Sequence, residues 1–147
     1  MNFLEEKIEN FIGKFSKNIE IQLDPNLVSF YREAKSVQAM PILYISDNPK
    51  KPKVLAWGEG LTPNEPHLKV DIFDFSGTLS KTDLKPFDCL IAFFRHGISK
   101  VVDSFTLIKP IIMVYNISTL DGLLHDEKEN IIKKALFESG ARKCIFK

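Results

Sequence analysis

The chain has 147 residues, the length of one ordinary domain, and 44% of them are hydrophobic, with 12 Phe, so it can build a core and is no disordered segment. Its 20 basic and 19 acidic residues leave a net charge of +1, which excludes a broad electrostatic footprint for nucleic acid. No run approaches the roughly 18 apolar residues of a membrane span, and the N-terminus does not have the pattern of a secretory signal, so a cytoplasmic chain is expected.

Residues Asn2 to Phe15 predict an amphipathic helix, because Leu4, Ile8, Phe11, Ile12 and Phe15 recur at i, i+4, i+7, i+8 and i+11. That face can meet a partner, the rest of the domain or a membrane surface. The opposite face sets Glu5, Glu6 and Glu9 against Lys7 and Lys14, so it lacks the basic excess that anionic lipids prefer, and packing on protein is the favoured reading. The organisation expected is this helix over 1–16, then one domain over 17–147.

Four short β-type runs follow: Ile19–Leu23, Val28–Arg32, Ile42–Ser46 and Val54–Trp57. Turn chemistry near them comes from Asn26, from Asp47-Asn48-Pro49-Lys50-Lys51-Pro52 and from Gly58-Glu59-Gly60. The lysines around Pro49 and Pro52 fit a solvated turn better than a nucleic-acid contact. Thr62 to Pro66 is a loop, and His67 to Phe75 alternates as a further strand. Lys85 to Asp103 predicts a helix buried on much of its surface and weakened near Gly97. Arg95 and His96 are placed towards its C-terminal end, where a cation is electrostatically comfortable. A strand over 110–116, a helix over about 125–139 and a closing strand over 143–146 complete the chain. Trp57 and the Phe residues are core by default.

Cys89 and Cys144 stand far apart in apolar runs and predict buried free thiols. His67, His96 and His125 lack ligand spacing, so neither a metal nor another cofactor is expected.

Ile72-Phe73-Asp74-Phe75-Ser76-Gly77-Thr78-Leu79 resembles the first motif of haloacid-dehalogenase-type phosphatases. That resemblance would make Asp74 a nucleophile on phosphorus, with Thr78 as a nearby hydroxyl; Asn116 to Thr119 imitates the family's second motif. Against it, Ser76 replaces the second Asp, Phe75 replaces the Lys of the related ion pumps, no later acid pair is placed to hold Mg²⁺, and the motif sits mid-chain. A strand ending at Phe75 with a turn at Gly77 accounts for the same residues.

Several β runs followed by helix–strand–helix–strand predict an α/β fold, a mixed sheet with helices against it. Phe15-Ser16-Lys17-Asn18-Ile19-Glu20-Ile21, Lys53-Val54-Leu55-Ala56-Trp57-Gly58-Glu59, Phe93-Phe94-Arg95-His96-Gly97-Ile98-Ser99-Lys100-Val101 and Glu138-Ser139-Gly140-Ala141-Arg142-Lys143 resemble segments of the first domain of MreB, the bacterial actin family. The Gly140 turn is the sharpest of these matches, and 61–92 matches poorly. The resemblance implies an RNase H-like, actin-like ATPase fold and, by association, a role in cell shape.

It also implies a phosphate-gripping Asp-Leu-Gly-Thr loop after the first strand, where this chain has Gln22-Leu23-Asp24-Pro25-Asn26. Gln22 stands in place of the acid, Asp24 sets a negative charge against a polyphosphate, and Pro25 removes an N–H donor. The chain also ends where the resemblance would begin a second domain, with its second phosphate loop and adenosine pocket. The sequence therefore reads as a non-catalytic MreB-like domain that works by contact with a protein partner or a second copy. The alternative is the Asp74 phosphatase.

Overall fold

The structure is a computed structural model and describes residues 2–5, 18–47, 53–58, 63–74, 86–102, 109–124 and 127–147. Residues 3–5 are helical and leave Leu4 65% exposed; Ile8, Phe11, Ile12 and Phe15 lie outside the described residues. Among the described residues no helix is long and apolar enough to cross a membrane.

The strands are β1 (Ile19–Gln22), β2 (Val28–Arg32), β3 (Lys35–Ala39), β4 (Ile42–Ser46), β5 (Val54–Trp57), β6 (His67–Asp71), β7 (Ile111–Tyr115) and β8 (Lys143–Phe146). The helices are α1 (Pro86–Val101) and α2 (Lys128–Glu138), and Ile117–Leu120 makes a turn of 3₁₀ helix. Five strands form a mixed sheet in the order β3-β2-β1-β7-β8, and three form a second sheet in the order β5-β4-β6. In the larger sheet β1 is antiparallel to β2 and parallel to β7, and β8 is parallel to β7. The smaller sheet is antiparallel throughout.

Alternation decides which face of the larger sheet is covered. Ile19 and Ile21 are fully buried, Glu20 and Gln22 point the other way, and register places Ile21 between Phe30 and Val114. Phe30 meets Phe93 and Phe94 of α1 at ring separations of 6.2 and 6.3 Å. Helix α1 lies against β2 and β3, α2 against β8, and the two helices pack on each other. Trp57 of β5 joins the same core and donates its indole N–H to the Phe93 carbonyl at 3.0 Å.

The end of α2 follows from Gly140. Its φ of 114° suits glycine, and the N–H groups of Gly140 and Ala141 close on the carbonyls of Phe137 and Leu136 at 3.2 and 2.9 Å. Arg95 of α1 caps the neighbouring helix rather than its own, donating to Glu138 O at 2.8 Å. The Ser139 hydroxyl lies 2.6 Å from Ala135 O and 3.1 Å from Ile91 O, tying the two helices together. Arg142 N–H then bonds Pro110 O, which starts β8 beside β7.

Three expectations change. The strand from His67 stops at Asp71, short of Phe75, because the Asp71 carboxylate accepts the Phe73 N–H and turns the chain. Helix α1 runs through Gly97 unbroken, since the glycine provides space for Phe30. An additional strand, β3, pairs with β2 through a two-residue turn at Glu33-Ala34, where Glu33 takes φ 54°.

Candidate functional site

The turn between β1 and β2 holds the position at which the family resemblance implies a phosphate loop. Leu23, fully buried, continues β1 by donating its N–H to Tyr115 O at 3.0 Å. Asp24 then folds over its own loop, its carboxylate accepting the Asn26 N–H at 2.8 Å. Pro25 has no N–H to give. Three of the four backbone positions from Leu23 to Asn26 therefore offer no free donor. Gln22 is exposed beside them, in register with Ser29 and Tyr115.

The opposite wall is the chain leaving β7. Asn116 adopts a left-handed conformation (φ 65°, ψ 35°) and opens the 3₁₀ turn. The Thr119 hydroxyl lies 2.7 Å from Asn116 O and 3.2 Å from Leu23 O, so its single proton bridges the two loops. Between them is an open cleft of about 370 Å³, lined by Gln22, Leu23, Asp24, Leu27, Ser29, Asn116 and Thr119. No cation lines it. The sequence singled out Asn116 to Thr119 only as a phosphatase imitation; the hydroxyl bridge to Leu23 depends on β1 lying beside β7 and has no local signal.

Asp74 is exposed, three residues past the end of β6, an edge strand of the smaller sheet, and its N–H bonds Asp71 O at 3.2 Å. Asn116 to Thr119 follow β7, in the other sheet. Thr78 lies outside the described residues. Nothing in this placement favours the phosphatase reading. Among the described residues no group of three or more His, Cys, Asp or Glu side chains is gathered to hold a metal. Burial pushes the Cys89 thiol up to about 11, with Asp88 adding to the effect, and burial likewise pushes Cys144 up to about 11 against the opposing Lys133. Neither is an activated nucleophile.

A second cavity, about 480 Å³, lies between β3, β5 and the later turns of α1. Its lining includes Val37, Gln38, Val54, Trp57, His96 and Lys100. The His96 ring rests on the Trp57 indole, centroids 5.0 Å apart and 33° between planes. Burial first, and Lys100 second, lower the His96 pKa below its usual 6.5. This cavity stays hidden in the sequence because β3, one of its walls, is itself hidden there.

Two solved structures of MreB5 from Spiroplasma citri, one bound to ADP and one to AMPPNP, are similar to this chain, with TM-scores of 0.59 and 0.60. Each is 16% identical, over 90% of this chain and 38% of the other, so the chain spans well under half the length of either. The likeness shows an actin-like fold. No family model matches the chain, and no curated protein matches it.

Proposed function

We propose that the chain is a non-catalytic, MreB-like domain that works through protein–protein contact, in an actin-like filament or a cell-shape complex in the cytoplasm. A protein partner or a second copy, rather than a nucleotide, is its ligand. The observation that carries this reading is the use of donors in the β1–β2 turn. The Leu23 N–H goes to Tyr115, the Asn26 N–H to the Asp24 carboxylate, and Pro25 has none. A phosphate cradle needs several N–H groups aimed at one point and positive potential around them. This turn supplies a carboxylate instead.

In the same reading the apolar set Leu4, Ile8, Phe11, Ile12 and Phe15 is a contact surface for protein in preference to lipid, given the three Glu on its polar face. Titration calorimetry of the purified chain with ATP and Mg²⁺ tests the proposal. No heat is expected; binding at micromolar concentrations would overturn it and restore a nucleotide switch.

A further inference from the structure

Strands β3 and β5 are edge strands of different sheets, yet they meet at one point. Met40 N–H donates to Gly58 O at 3.2 Å, and a Cβ on Gly58 would stand 2.3 Å from the Ala39 Cβ, so the junction is closed by a glycine at φ 60°. Among the described residues, β3 pairs only with β2 and β5 only with β4. The cavity of about 480 Å³ lies between them, with His96 and Lys100 of α1 along it.

Three features of this groove point in one direction. Its lining mixes apolar groups with amide and ring edges, and Val54 is 40% exposed. Among the described residues the charged or titratable side chains lining it are Lys100 and His96, with no carboxylate, and exposed Lys53 leads into β5. Backbone groups on an unpaired strand edge have no partner within a sheet and favour a strand laid beside them.

We infer that this groove is a docking site for an extended, acidic segment of a partner protein, which adds as a strand along β5. Four residues of β5 measure about 13 Å, so four or five partner residues fill it. Carboxylates of the added strand meet Lys100 on α1 and Lys53 at the start of β5, and its small apolar side chains meet Val37, Val54 and the floor at Trp57. The inference deepens the interaction reading above by giving it a site and a partner chemistry.

Trp57 is the only Trp in the chain and lies at the groove, so its emission reports occupancy. The probe is a blocked five-residue peptide alternating Glu and Val, titrated at low salt; the control alternates Lys and Val. The acidic peptide is expected to shift Trp57 emission saturably and to move the amide resonances of β5. Added salt and Lys100→Glu, an exposed position that leaves the core intact, should each weaken it by about tenfold. Failure of the acidic peptide to move either signal would overturn the inference, as would an equal response to the basic peptide or an unchanged affinity in Lys100→Glu. Self-association that shifts Trp57 without peptide would overturn it in favour of a second copy. These outcomes are separate from ATP calorimetry, which tests the non-catalytic reading alone.

Discussion

The Phe30 ring occupies the space that a side chain at Gly97 would need. An ideal Cβ on Gly97 would lie 2.3 Å from Phe30 Cζ and 2.5 and 2.6 Å from its two Cε atoms. Phe30 cannot retreat, because it is fully buried among Trp57, Phe93 and Phe94. Two effects oppose each other in Gly97→Ala. The helix gains about 1 kcal/mol of intrinsic preference, while forcing a methyl into a packed core costs about 1–3 kcal/mol. At separations this short the upper part of that range applies, so a net loss of about 1–2 kcal/mol is expected. Urea unfolding of the two proteins measures it; a stabilised Gly97→Ala would show that the ring yields freely.

How far the sequence was legible follows from where its signals are local. Ile19–Gln22, Ile111–Tyr115 and Lys143–Phe146 alternate or run apolar, and they were readable as strands. Gly140 ends α2 by a rule written in adjacent residues, and it was readable too. Strand β3 was not: Lys35-Ser36-Val37-Gln38-Ala39 is mostly polar, and its turn uses Glu33-Ala34 where Asn-Gly would have announced a hairpin. The β5 groove and the Thr119 bridge join segments dozens of residues apart, so no local pattern encodes them. The β1–β2 turn was half legible. The missing N–H at Pro25 is written in the sequence, but capture of the Asn26 N–H by Asp24 is a matter of geometry.

That capture makes Asp24→Ala informative. Losing the Asx turn is expected to cost about 0.5–1.5 kcal/mol, the net worth of one hydrogen bond. It also frees the Asn26 N–H and removes the negative charge. ATP binding is still not expected, because Pro25 has no N–H and Leu23 remains committed to Tyr115. Denaturant melts check the first part and calorimetry with ATP and Mg²⁺ the second; micromolar heat in the variant alone would identify Asp24 as a lock on a working site.

The two thiols give a pH prediction. With both pushed up to about 11, the thiolate fraction at pH 8 is about one in a thousand, against roughly a quarter for an ordinary free cysteine. Ellman's reagent is therefore expected to react with neither thiol in the native protein at pH 8 and with both in urea. Because the folded pKa is raised, the stability these thiols contribute is fully present below their unfolded pKa. It is lost as pH rises through 9 towards 11. Rapid native labelling of Cys89 at pH 8 would contradict the burial that raises it.

His96 titrates in the opposite sense. Its ring is packed on Trp57 and its pKa is lowered, by burial first and Lys100 second, so the folded state resists the proton that the unfolded chain accepts near 6.5. Between 6.5 and the lowered value the unfolded state binds more protons, so stability falls as pH falls through that window. His96→Phe keeps a ring on Trp57 and removes the titration. The variant's thermal midpoint should therefore lose less than the parent's between pH 7 and pH 5, while the two differ little above pH 7. Lys100→Gln removes the second cause and should raise the His96 pKa, read directly from its ring proton shifts. A parent pKa at or above 6.5 would mean that water or a carboxylate reaches the ring, and the groove at Trp57 would then be more open and less basic than its geometry implies.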